Sequence, residues 1–190
     1  ATFSPGMLTE CLRPDLVAPR APPAKHPDRR LATLPAAVEL ALPFTTGILV
    51  GIGETEADRV VALEAIARAH RRFGHVQEVI VQNFRPKAGT AMRRASPCPP
   101  REHLRAIALA RLLLPPQVHV QAPPNLTDDP ASVLAAGIDA WGGVSPTTAD
   151  HVNPERPCPA PDGLRAAPPP AGHRLATRLR IYPEYPHHPA

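Results

Sequence analysis

Between Pro43 and Met92 the chain runs in a fixed order: apolar strand, glycine turn, amphipathic helix, apolar strand, polar loop. Strands that alternate with helices form parallel βαβ units, so this order commits the chain to an α/β fold. Phe44–Ile52 and Val76–Phe84 are nearly continuous runs of apolar and β-branched residues, the composition of strands buried in a parallel sheet. Thr55 with Asp58 three residues on predicts a capped helix start. Val60, Leu63, Ile66, Ala67 and His70 then share one face, Glu64 and Arg68 pair on another, and Gly74 ends the helix.

The pattern continues downstream. Arg101–Leu114 is a second amphipathic helix stopped by Pro115 and Pro116, Val118–Gln121 a short strand, Pro130–Ala136 a short helix, and Ile138–Val144 a last strand running into Gly142 and Gly143. Upstream, Asp28–Leu42 reads as a helix interrupted by Pro35, and Phe3–Leu8 as a further short strand. Leu164–Ile181 has room for a terminal helix and a short strand. The 28 prolines crowd into the segments between these elements and mark them as loops. At 190 residues the chain is short for an eight-fold βα barrel, which takes roughly 200 to 250. The expected architecture is a partial (β/α) barrel of the TIM type, its carboxyl-terminal half. Residues 1–185 form one domain, and residues 186–190 a proline- and histidine-rich tail.

Composition removes several function classes. Net charge is +4, but the arginines are dispersed, without a basic run or interleaved aromatics, so nucleic acid is not the expected partner. Apolar runs stay below the roughly 18 residues of a membrane span, and a cytoplasmic protein is expected. Cys11, Cys98 and Cys158 lie far apart, without metal-ligand or redox spacing. No metal-binding residue is therefore assigned, and no catalytic acid or base is singled out.

Three polar groups collect at strand ends, where barrels bind ligands. Gly47, Gly51, Gly53 and Glu54 either let a ligand approach the backbone or shape a tight turn with an acid at a helix start. Gln82, Asn83, Phe84 and Lys87 offer hydrogen bonds and stacking to a heteroaromatic ligand, or form a plain polar loop. Trp141, Gly142, Gly143, Ser145, Thr147, Asp150 and Asn153 put the single tryptophan beside a glycine pair, as core or as site.

The string Gly47–Glu54, GILVGIGE, resembles the G-x-I-x-G-x-x-E strand of radical S-adenosylmethionine enzymes, with Leu49 in the isoleucine place. The longer strings PFTTGILVGIGET, HVQEVIVQNFRPKAGTAM and GIDAWGGVSPTTADHVNPERP, with RLRIYPEY near the end, resemble the deazaflavin-forming FO synthase family of coenzyme F420 biosynthesis. The resemblance is to its ring-closing subunit or half. It implies a lyase that uses S-adenosylmethionine and a [4Fe–4S] cluster to close a tyrosine-derived hydroxybenzyl–ribitylaminouracil adduct with loss of ammonia. It also implies a partner radical enzyme that makes the adduct.

By that resemblance Gly47, Gly51, Gly53 and Glu54, with Gln82, Asn83 and Phe84, bind the cofactor in one cleft. Thr45, Lys87, Trp141 and Ser145 face the substrate. The family's C-x-x-x-C-x-x-C loop is absent from this sequence, so the chain is expected to be a fragment that is inactive alone. The competing expectation is a non-catalytic βα piece that only associates with another chain.

Overall fold

A computed structural model describes residues 43–142, 153, 155–159, 163–164, 174–178 and 181–185. Its centre is a four-stranded sheet in the order β1-β2-β3-β4, parallel throughout. The strands are β1 (Phe44–Val50), β2 (Val76–Asn83), β3 (His119–Ala122) and β4 (Ala140–Trp141). Helices α1 (Glu56–Phe73), α2 (Pro100–Leu113) and α3 (Pro130–Ala135) make the crossovers, and a 3-10 turn, Pro124–Leu126, follows β3. The α/β expectation therefore holds. The early helix and strand expected before residue 43, and most of Leu164–Ile181, lie outside the described residues.

Local chemistry sets the element ends. At α1 the Thr55 hydroxyl accepts the Asp58 N–H and the Asp58 carboxylate accepts the Thr55 N–H, closing the capping box. The Gly74 N–H returns to the His70 carbonyl at 2.6 Å. Helix α2 starts one residue earlier than expected because Pro100 needs no amide partner in a first turn. Strand β1 stops at Val50 rather than Ile52, because the Gly51 and Ile52 amides bond to the Glu54 carboxylate instead of a neighbouring strand. Strand β4 begins two residues late, since the Asp139 side chain takes the Val120 N–H at 2.9 Å.

Ile48, Val50, Val79, Val81, Val120 and Ala122 form the sheet's helix-facing side, packed with Leu63, Ile66, Ala106, Ile107 and Ala110. Burial of such residues at about 25 cal/mol per Å² is the main force that holds the layers together. Arg59 replaces Val60 on the buried face of α1, a difference explained below.

Register partners in a sheet share a face. Opposite the helices, Thr45, Glu78 and His119 form one row, and Gly47, Ile80, Gln121 and Ala140 the next. Leu49 and Gln82 form the row nearest the strands' carboxyl ends. This inner face is the one that carries the polar side chains.

Candidate functional site

The turn after β1 is built around one carboxylate. Glu54 Oε1 accepts the Gly51 N–H and Oε2 the Ile52 N–H, each at 2.8 Å. Arg59 Nε donates to Oε1 at 2.8 Å, and its NH1 donates to Glu102 Oε2 on α2 at 2.9 Å. The Glu54 side chain has 0% exposure and that of Arg59 6%. Burial works against the Arg59 charge, but the bonds to Glu102 and Glu54 outweigh it and hold its pKa above the ordinary arginine value. Glu54 thus points into the protein and locks the backbone of the glycine turn.

Gly51 has a second structural cause. It sits at φ +92°, and a Cβ there would lie 2.6 Å from Cys98 Cβ and 2.9 Å from Cys98 Cα. The loop after β2 folds back to make this contact, with the Cys98 N–H donating to the Phe84 carbonyl at 2.9 Å. Burial pushes the Cys98 thiol up to about 11. Gly53 is exposed in the same turn.

The remaining sequence candidates divide by face and by end. Gly47 and Gln82 lie on the inner face, with Leu49 beside Gln82. Asn83 is in register with Val50 on the other face, and its Nδ2 donates to the Leu126 carbonyl at 2.8 Å. Its Oδ1 is buried without a partner among the described residues. Phe84 packs against the core. Lys87 is half-buried in a turn, where its carbonyl accepts from the Thr90 amide and hydroxyl. Thr45 is at the amino end of β1, away from Gln82, and accepts from Gln77 Nε2 at 3.2 Å. Trp141 is in register with Ala122 and packs against the helix-side core. Ser145 lies outside the described residues. The structure therefore puts Gly47 and Gln82 on the inner face with Thr45 at its amino end, followed by the Gly51–Glu54 turn, and leaves Asn83 and Trp141 on the helix-facing side.

Sequence reasoning missed a cluster at the amino end of the inner face. Glu78 is buried on β2 and bonded by Arg178 and by the Tyr182 hydroxyl, the latter at 3.0 Å. Burial raises the Glu78 pKa, and Arg178, Tyr182 and His119 only partly offset this. Tyr182 stacks on His119 with ring centroids 3.6 Å apart. His119 Nδ1 lies 3.1 Å from Asp139 Oδ2 and Nε2 lies 2.8 Å from Glu184 Oε1. These partners lie up to about a hundred residues apart in sequence, so no local signal announces them.

With a carboxylate at each ring nitrogen, only the protonated imidazole of His119 donates at both. Burial lowers its pKa, but the two bonds prevail and raise it above the ordinary value. His70 and His103 are the reverse: burial lowers both, although each ring bonds a backbone carbonyl. In an NMR titration His119 is expected above the usual value of about 6.5, and His70 and His103 below it. Stability from the His119 contacts should be complete below that usual value and be lost as pH rises through the raised folded pKa. A His119 resonance titrating below those of His70 and His103 would contradict this clamp.

Among the described residues no three His, Cys, Asp or Glu side chains converge as metal ligands, and no helix is long and apolar enough to cross a membrane.

No family model matches the chain. It is 50% identical over 187 residues, 96% of its length, to the 7,8-didemethyl-8-hydroxy-5-deazariboflavin synthase of Methanopyrus kandleri, of which it covers 56%. To the protein of that name from Methanoculleus marisnigri it is 51% identical over 183 residues, covering 96% of this chain and 54% of that one. To the FO synthase of Mycobacterium tuberculosis it is 51% identical over 165 residues, 86% of this chain and 19% of that protein. The chain spans about half the length of the first two relatives and about a fifth of the third.

Proposed function

We infer that this chain, homologous over most of its length to the FO synthases, supplies part of a radical S-adenosylmethionine barrel that closes the deazaflavin ring. The observation that carries this is the 50% identity across 96% of the chain. In this reading the four parallel strands are an arc of a (β/α) barrel, and the inner face is its lumen.

S-adenosylmethionine lies over Gly47 and Leu49, with the Gln82 amide offering hydrogen bonds to it. Gly47 lets a flat ring approach the strand backbone. Glu54 acts behind the turn, holding Gly51 and Ile52 rigid, which limits motion of the surface a ligand meets. The substrate is the hydroxybenzyl–ribitylaminouracil adduct made by a partner radical enzyme, and Lys87 and Ser145 are the polar candidates on its side. The radical chemistry of the family requires a reduced [4Fe–4S] cluster. The described residues do not fit one: no three His, Cys, Asp or Glu side chains among them converge as ligands.

Titration of the full chain with S-adenosylmethionine tests the placement. Gly47→Val suits a strand but fills the inner face. It should raise the dissociation constant at least about tenfold, or about 1.4 kcal/mol. Equal affinity of the folded wild type and variant, or no saturable binding by the wild type, would reject it.

A further inference from the structure

Glu78 and Gln121 lie on adjacent rows of the inner face, and between them they join two distant parts of the molecule. From one side, Arg178 and Tyr182 of the C-terminal segment bond Glu78. From the other, in the amide orientation that satisfies its neighbours, Gln121 donates to both Glu78 oxygens at 2.9 and 2.7 Å. Its side-chain carbonyl then accepts the Gly142 N–H at 3.1 Å. Gly142 also donates to the Ala122 carbonyl at 3.2 Å, so its amide is held from two directions. A Cβ on residue 142 would fall on the Gln121 amide, so glycine is the residue that admits this contact.

We propose that Glu78 and Gln121 are positioning residues for the end of β4 at Trp141–Gly142, transmitting to it the docking of the segment around Arg178 and Tyr182. The physical basis is the cost of a buried carboxylate. Glu78 must be surrounded by donors, and a carboxylate oxygen left without one is expensive in a low-dielectric interior. Among the described residues, Arg178, Tyr182 and the Gln121 amide supply donors to it. The direction of that amide fixes where its carbonyl lies, and that carbonyl fixes Gly142. A change at either end therefore changes the geometry at the other. The consequence for substrate handling rests on the proposed barrel reading; the coupling itself does not.

The charged and titratable groups around Glu78 are Arg178 and Tyr182 from the C-terminal segment, His119 from β3 and Asp139 before β4. A second carboxylate at position 121 adds a repulsion that protonation relieves. Trp141 is the only tryptophan of the chain, so its emission reports on the end of β4 without an activity assay.

The test is acrylamide quenching of Trp141 in the full chain. Gln121→Glu should raise the quenching constant about twofold at about pH 8, and return it to the wild-type value at about pH 5 as one carboxylate takes up a proton. Glu78→Gln combined with Gln121→Glu restores a donor–carboxylate pair and should match the wild type at both pH values. Tyr182→Phe, which removes only the hydroxyl on Glu78, should raise quenching in the same direction but by less. Wild-type quenching in a folded Gln121→Glu protein at about pH 8 would overturn the positioning role. Unchanged quenching in Tyr182→Phe would overturn the link to the C-terminal segment. Where Gln121→Glu does not fold, the double variant decides: a folded chain with wild-type quenching supports the proposal, and one as damaged as the single variant overturns it. This outcome is separate from cofactor binding, so failure here leaves the Gly47 result standing, and the reverse.

Discussion

Glu54→Ala is expected to destabilise the chain by about 3 to 5 kcal/mol, the range for removing one partner of a buried ion pair. The substitution does two things at once. It leaves the Gly51 and Ile52 amides without the acceptors they now have at 2.8 Å each. It also strips the half of the Arg59 pairing that is fully buried. Glu102 remains bonded to Arg59, but its side chain is 35% exposed and compensates less. Urea unfolding measures the loss. Glu54→Gln keeps carbonyl acceptance for one amide and should lose less. Glu54→Ala with Arg59→Leu removes the stranded charge and should recover part of the stability. An alanine variant within about 1 kcal/mol of wild type would show that the turn holds without the carboxylate.

The same turn shows how far the sequence could be read. Its frame was legible because it rests on local signals. Thr55 with Asp58, Gly74, and two apolar runs around an amphipathic helix each have a nearest-neighbour cause, and all form the expected elements, with β1 ending two residues early and β2 one. So does the family, because GILVGIGE and its companion strings are long, and the comparisons bear them out.

The role of Glu54 was not legible. As a lone acid at a strand end it suits a ligand and a turn equally. Its assignment depends on Arg59 and on Glu102, which is forty-three residues from Arg59. Faces were lost for a related reason. Period-two alternation gives two sets of residues but not which set meets the helices, and β1 carries a register shift between Phe44 and Thr45. Trp141 therefore belongs to the core side, while Gly142 beside it carries the contact to Gln121. Glu78, His119 and Tyr182 were invisible in sequence because their partners are brought together only by the finished fold.

Gly51→Val is the sharpest test of whether the glycines of β1 serve a ligand or the fold itself. The structure separates them. Gly47 is on the inner face, whereas Gly51 has its missing side chain directed at Cys98. Two costs follow for any side chain at position 51. The backbone sits at φ +92°, outside the regions a β-branched residue adopts, for about 1 to 3 kcal/mol. The first added carbon would lie 2.6 Å from Cys98 Cβ and 2.9 Å from its backbone, an overpacking worth about another 1 to 3 kcal/mol. The Cβ alone creates the collision, so Gly51→Ala should lose most of what Gly51→Val loses. Cys98→Ala should not rescue either, since the nearest atom is Cys98 Cβ and alanine retains it. Thiol labelling gives an independent readout. In the wild type Cys98 is buried and its thiol is pushed up to about 11, so it should label slowly. In the valine variant the loop behind Phe84 must move, and Cys98 should label faster. A Gly51→Ala protein with wild-type unfolding and wild-type Cys98 labelling would remove the structural cause assigned to this glycine. Only then would close approach of a ligand be left to explain it.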